Sequence, residues 1–187
     1  AYRVLMGVLE SRTGQTLSPS RIWRIEMSLN PVMQRHNIVD LDALVAALVT
    51  SNSRQLLDDT VDAMLNNETY FYREYSLFDD IAATVLDKLR EINKFRRRLT
   101  IWHCGVSTGQ EAYSLAMLIA EQGEKWAGWQ VEILGNDVRH HAIGRARIGP
   151  YSQFEILRGL PVHRLVRWLD QAEGVWAAKG DRGSRTD

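Results

Sequence analysis

Two acidic residues stand where a strand-to-helix connection could use them. Leu99-Thr-Ile-Trp-His-Cys104 is a β-branched and aromatic run, Gly105-Val-Ser-Thr-Gly109 a small-residue turn, and Gln110 opens an amphipathic stretch. Glycines in such a turn let the backbone approach a ligand, and the helix after it offers N–H groups with no partner inside it. Glu111 falls in the first helical turn, and Asp137 comes after the next apolar run, Trp129-Gln-Val-Glu-Ile-Leu134, 28 residues beyond Gly109. In sheets of this kind an acid at the end of the second strand accepts hydrogen bonds from ribose hydroxyls. Turn and aspartate together describe an adenosine-type site.

What the turn lacks narrows the ligand. The dinucleotide fingerprint needs G-x-G-x-x-G and the phosphate loop needs G-x-x-x-x-G-K-[ST]. Gly105-Val-Ser-Thr-Gly109-Gln110 matches neither and carries no lysine, which argues against a pyrophosphate. S-adenosylmethionine carries ribose and adenine together with an ammonium, a carboxylate and a sulfonium, so it suits an acid near the turn. Glu111 supplies one. An ordinary strand-to-helix loop stays open as the alternative, because an acid in the first turn also complements the helix dipole.

Composition excludes other classes. The 187 residues are 45% apolar and 25% charged, an ordinary globular balance. Lysine plus arginine equals aspartate plus glutamate at 23 each, so no overall field draws the chain to nucleic acid or a membrane surface. Cys104 is the only cysteine, which rules out an internal disulfide and a multi-cysteine zinc site and suits a reducing compartment. His140 and His141 have no acid or cysteine at ligand spacing, so no metal site is expected. With no apolar run of membrane length and no secretory pattern at Ala1-Tyr-Arg-Val-Leu5, the expectation is a cytoplasmic protein without membrane insertion.

The elements that must position these residues divide in two. Residues 1–66 read as a helical domain. Leu5, Val8 and Leu9 form one apolar stripe ended by Gly14, Ser18-Pro19 starts a second helix, Asp40 caps a third, and a fourth runs from Ser53 to Leu65. A different texture begins at Asn67 with "NETYFYREYSLF", after which Phe78, Ile81, Ala82, Val85, Leu86 and Leu89 define a long helix. Strand, helix, strand and helix then alternate to Gly149-Pro150, which predicts a parallel sheet with right-handed crossovers over 67–180. The polar tail 181–187 is expected to be mobile.

Four stretches, "NETYFYRE" at 67–74, "STGQEAYSLAM" at 107–117, "GNDV" at 135–138 and "ARIGPYS" at 146–152, occur in an order that resembles the CheR-type chemotaxis receptor methyltransferases. The resemblance implies an α/β fold: an N-terminal all-helical domain followed by the first half of a doubly wound, Rossmann-like methyltransferase sheet. It implies methyl transfer from S-adenosyl-L-methionine to receptor glutamates, leaving S-adenosyl-L-homocysteine, with the cytoplasmic region of a chemotaxis receptor as partner. Asn67 and Thr69 match positions lining the cofactor site, and Arg73 matches the arginine near the methionine end and the reacting glutamate, the single catalytic candidate. Gly105 and Gly109 match the turn, Glu111 the acid after it, and Asp137 the ribose-binding acid. This chain departs from the family where His103-Cys104-Gly105-Val106 replaces smaller residues, and where Gln110 and Ala112 replace a glutamate and a proline.

A glutamate nucleophile needs no general base, since its reference pKa is about 4.3 and it is ionised at neutral pH. Positioning is the main task, and His103, His140 and His141 need no catalytic role in this scheme. The family's later elements are an Asn-containing strand, a β-subdomain and a tyrosine near the active site, and the sequence through Trp176 offers no counterpart of them. Leu99–Cys104, central in the full sheet, is then expected to keep one bare edge and to favour self-association. A non-catalytic regulatory or protein-binding fragment of the same fold is the alternative reading.

Overall fold

Capping residues set the helix ends in the first part of the chain. Asp40 accepts a hydrogen bond from the Ala43 N–H at 2.8 Å and opens α3 (Leu41–Thr50). Ser53 accepts from the Leu56 N–H at 3.2 Å and opens α4 (Arg54–Met64). Such caps satisfy N–H groups that the helix itself leaves without partners. Gly14, at φ 71°, closes α1 (Tyr2–Thr13) in the left-handed conformation that only glycine adopts without strain. With α2 (Ile22–Arg35), these helices enclose a core that includes Leu5, Leu9, Ile25, Leu29, Leu44, Leu56 and Val61. The computed structural model describes residues 1–16, 22–65 and 68–179, so the expected helix start at Ser18-Pro19, the site candidate Asn67 and the tail all lie outside the described residues. The chain divides into two compact units, Ala1–Asn67 and Glu68–Asp187.

In the second unit, β1 (Arg98–Cys104) and β2 (Gln130–Asn136) pair in parallel from Arg98↔Gln130 to Cys104↔Asn136, with α7 (Gln110–Glu121) as the crossover. Helix α8 (His140–Ile148) comes next and ends at Gly149. Leu99, Leu115, Leu118, Ile119 and Trp126 are buried together with Phe71, Phe78 and Leu86, which joins the aromatic segment to the sheet through one core. Among the described residues β1 pairs only with β2, and the Trp102 ring is 70% exposed while its Nε1 donates to Asn136 Oδ1 at 2.8 Å.

The long helix after the aromatic segment is interrupted. Helices α5 (Tyr75–Asp80) and α6 (Leu86–Ile92) are joined by a π turn, Ile81–Val85. A π turn holds more residues than an α turn, so it rotates the next helical turn out of the 3.6-residue stripe. Val85, expected inward, is accordingly 44% exposed, while Leu86 is buried.

A second, small sheet corrects the expectation that this sequence offers no β-subdomain, since short strands between Tyr151 and Ala178 pair with one another and not with β1 or β2. β3 (Tyr151–Ser152), β4 (Leu169–Ala172) and β5 (Val175–Ala178) form an antiparallel sheet in the order β3-β5-β4. Glu173 and Gly174, at φ 50° and 79°, make the two-residue hairpin with both central residues left-handed. Between β3 and β4 lie α9 (Gln153–Leu157), opened by a Ser152–Glu155 capping box, and α10 (Val162–Trp168). Among the described residues no helix is long and apolar enough to cross a membrane.

Candidate functional site

The turn between β1 and α7 is braced from β2. The N–H groups of Gly105 and Val106 both donate to the Asn136 carbonyl, at 2.9 and 2.8 Å, and the Ser107 N–H donates to Asp137 Oδ2 at 2.7 Å. Asp137 Oδ1 accepts from the Arg139 N–H at 3.0 Å, and Arg139 Nη2 reaches Ser107 Oγ at 3.2 Å. Three successive N–H groups are thus spent within the protein, so this turn is not an anion cradle of the phosphate-loop kind. Gly105 and Gly109 sit at φ 77° and 96°. At Gly109 a Cβ would also lie 3.1 Å from the Ala146 Cβ and the Tyr151 hydroxyl, so both backbone conformation and close packing demand glycine there.

Beside this turn, Arg73, Glu74, His103 and Glu111 line a cavity of about 320 Å³ whose remaining walls include Leu77, Phe78, Ile81 and Leu115. Cation and acid arrive on different elements, Arg73 on the segment before α5 and Glu111 in the first turn of α7. The Arg73 guanidinium donates to the Glu68 carbonyl at 2.7 Å, which fixes one of its nitrogens. His103 Nε2 lies 3.6 Å from Glu111 Oε2, within ion-pair reach, and His103 Nδ1 is buried without a hydrogen-bond partner. A second cavity, of about 390 Å³, lies between α7, β2 and α8. Its lining of Val106, Ala112, Ala116, Ile133 and Ala146 is apolar, with Arg147 as its charged residue.

The segment carrying Arg73 is held by distant residues. The Tyr72 N–H donates to Ser114 Oγ at 3.0 Å, and Ser114 Oγ donates in turn to the Gln110 carbonyl at 2.7 Å. Tyr72 and Glu74 are in the left-handed region, at φ 52° and 59°, a conformation that persists in non-glycine residues only where the surroundings enforce it. Arg164 lies 4.2 Å from the Tyr72 ring centroid, donates to the Tyr75 hydroxyl at 3.0 Å, and meets the Glu121 carboxylate at 2.9 and 2.8 Å. Burial pushes the Glu121 carboxyl up, but hydrogen bonds from Arg164 and Trp168 and the arginine charge hold it below the usual range. Burial pushes the Tyr72 and Tyr151 hydroxyls up, and the Tyr151 hydroxyl donates to the Thr108 carbonyl at 2.9 Å behind the turn.

Of the expected site residues, the structure brings Arg73 and Glu111 to one cavity, places Gly109 in the lining of the second cavity, keeps Gly105 in the turn, and holds that turn from Asp137 after β2 through the Ser107 N–H. Asp137 has both oxygens engaged by the chain's own donors, yet each carboxylate oxygen keeps a further lone pair for a hydroxyl. Thr69 is half-buried and is not in the described lining of the cavity. The sequence reading missed His103, whose alternation along β1 with Ile101 marks it as facing the same side of the sheet. It also missed Ser114 and Arg139, which act through backbone N–H groups and a hydroxyl and leave no pattern in the sequence. The donor set fits S-adenosylmethionine: an acid for an ammonium, a guanidinium for a carboxylate, and an orphan imidazole nitrogen in the same cavity.

Comparison with known proteins gives the same family. A family model described as CheR methyltransferase, SAM binding domain, matches residues 67–181. Chemotaxis protein methyltransferase 1 of Pseudomonas aeruginosa is 34% identical over 185 residues, which cover 96% of this chain and 66% of that protein. Chemotaxis protein methyltransferase 1 of Vibrio cholerae is 32% identical over 181 residues, covering 95% and 65%. Chemotaxis protein methyltransferase of Borreliella burgdorferi is 28% identical over 172 residues, covering 90% and 60%. The chain therefore spans somewhat less than two thirds of the length of these relatives. The braced turn, both acids and Arg73 all fall within 67–181, and the chain belongs to the CheR methyltransferase family, of which it carries the SAM-binding domain.

Proposed function

We propose that this chain binds S-adenosyl-L-methionine at the cavity between Arg73 and Glu111 and serves the methylation of glutamate side chains on the cytoplasmic region of chemotaxis receptors. The observation that carries the reading is the convergence of a guanidinium and a carboxylate from separate elements on one cavity of about 320 Å³ beside the turn that Asp137 braces. When bound, S-adenosylmethionine supplies a methyl group on a sulfonium, and its transfer to a carboxylate oxygen breaks the carbon–sulfur bond and releases S-adenosylhomocysteine. Glu111 holds the amino group of the ligand and Asp137 its ribose. The family resemblance assigns Thr69 and Asn67 to further cofactor contacts. Arg73 orients the carboxylate at the methionine end and steers the acceptor glutamate, through the forked geometry that favours arginine over lysine for this task. No residue need act as a base. Orientation of two reactants of this kind is worth on the order of 7–11 kcal/mol, which is the contribution asked of these residues.

Calorimetric titration of the chain with S-adenosylhomocysteine tests the reading, together with methylation of receptor fragments with labelled donor. Saturable binding is expected, weakened about tenfold or more, or ~1.4 kcal/mol, by Arg73→Ala and by Glu111→Gln. A wild-type chain that is folded and takes up no ligand sinks it. Pairing of two copies across the edge of β1 that no strand covers among the described residues stays a proposal; light scattering that finds a monomer removes it.

A further inference from the structure

Among the described polar residues lining the cavity, methyl transfer itself gives no task to Glu74 or His103, and of these two only His103 carries a buried atom without a hydrogen-bond partner. His103 stands near the C-terminal end of β1 opposite Gly135 of β2, which brings no side chain to it. From the elements around it, the charged groups that line the same cavity are Arg73 and Glu74, from the segment before α5, and Glu111, from α7; the other lining residues, Leu77, Phe78, Ile81 and Leu115, are apolar. Two observations distinguish its ring. Nδ1 is buried with no hydrogen-bond partner, and a buried polar atom left so costs free energy unless something else satisfies it. Nε2 stands 3.6 Å from Glu111 Oε2, too far for a hydrogen bond and near enough for an ion pair when the ring is charged.

These positions create a competition. Arg73 already places one positive charge in the cavity, and Glu111 is the acid that α7 presents there. A ligand ammonium and a protonated imidazole would both seek that carboxylate, and with the Arg73 charge already in the cavity each would disfavour the other by like-charge repulsion. We propose, on the reading that the cavity takes the amino-acid end of an S-adenosyl ligand, that His103 is a positioning residue which controls access of the ligand amino group to Glu111. The neutral ring leaves the carboxylate open and offers a nitrogen to the ligand. The protonated ring occupies the carboxylate and repels the ammonium.

The test is calorimetry of the full chain with S-adenosylhomocysteine, which has the amino-acid end, and with methylthioadenosine, which lacks it, at pH 8 and pH 5.5. A proton that must leave before the ligand binds weakens affinity by up to tenfold per pH unit. S-adenosylhomocysteine is expected to bind the wild type about fivefold or more weaker at pH 5.5. That loss should shrink to less than about twofold in His103→Asn, which cannot take up the proton. Methylthioadenosine should show the small dependence in both proteins. A second measurement needs no variant: the His103 ring resonance, tracked by NMR through a pH titration, should shift its midpoint downward when S-adenosylhomocysteine saturates the protein. An equal pH loss in wild type and His103→Asn, or a midpoint that ligand leaves unmoved, overturns the proposal. Absence of binding at pH 8 in the wild type instead refutes the S-adenosyl reading on which it rests.

Discussion

Asp137→Asn separates a carboxylate that holds the turn from one that only awaits a ligand. Its two oxygens accept from the Ser107 N–H at 2.7 Å and the Arg139 N–H at 3.0 Å, and Arg139 Nε lies 3.8 Å from Oδ1, with both side chains about nine-tenths buried. An amide keeps one acceptor and turns an NH₂ toward the other N–H, so one charge-assisted bond is lost, at about 1.5–3 kcal/mol, and the other falls to the neutral value of about 1 kcal/mol. The long contact to Arg139 adds a few tenths at most. The expected loss is roughly 2–4 kcal/mol in protein without ligand. Urea unfolding monitored by tryptophan fluorescence suits the measurement, since Trp102, Trp126, Trp129, Trp168 and Trp176 all lie in 68–187 and only Trp23 lies outside it. With a slope near 2 kcal/mol per molar, the midpoint should drop by about 1–2 M. An unchanged midpoint combined with weaker S-adenosylhomocysteine binding would show that the carboxylate serves the ligand alone and that the turn stands without it.

Two further perturbations concern the segment that carries Arg73. Glu121 titrates below its ordinary range in the folded protein, so as pH falls the unfolded chain takes up the proton first and this contribution, complete above the unfolded value, is lost through the folded one. Thermal melts from pH 7 to pH 3 should therefore fall less steeply for Glu121→Gln than for the wild type, from a lower starting stability, and parallel curves would deny the linkage. Gly159 is at φ 96°, and a Cβ there would lie 2.1 Å from the Phe71 carbonyl oxygen, a backbone atom that cannot turn aside. Gly159→Ala should cost about 2–4 kcal/mol from strain and overlap, and should weaken S-adenosylhomocysteine binding as the segment shifts; equilibrium unfolding that shows less than about 1 kcal/mol would mean the approach relaxes freely.

The range of each interaction decides whether it can be read from the sequence. Asp40, Ser53 and Gly14 act on neighbours within four residues, so their caps are visible as residue types at fixed offsets. β1 and β2 are visible because apolar, β-prone runs flank a helix of matching length. The π turn at Ile81–Val85 is not, since a stripe of Ile81, Ala82 and Val85 looks the same whether four or five residues complete the turn. The sheet of β3, β4 and β5 escapes because its strands have two to four residues, too few for alternation to register, and its hairpin uses Glu-Gly rather than Asn-Gly or Asp-Gly. In the site, Glu111 and Asp137 are legible from their distance to the turn. Their partners are not, because the Ser107 and Arg139 N–H groups belong to the backbone, which is the same at every residue.

Arg73 shows why the remainder had to come from folding. Its segment is strained at Tyr72 and Glu74 and has no regular structure from Glu68 to Glu74 to hold it. The restraint comes from two directions. Ser114 of α7 takes the Tyr72 N–H, and the segment 158–164 closes from the other side: Arg158 pairs with Glu68 and lies 4.6 Å from the Tyr70 ring centroid, Gly159 abuts the Phe71 carbonyl, and Arg164 covers Tyr72. Each contact is modest, since a cation over a ring contributes about 0.5–2 kcal/mol, and together they offset the roughly 1–3 kcal/mol that each left-handed non-glycine residue costs. The stretch that forms the second sheet and the helices within it therefore does more than extend the fold. It fixes the backbone from which the guanidinium reaches the cavity, and so it belongs to the site although no residue of 158–164 lines the cavity among those described.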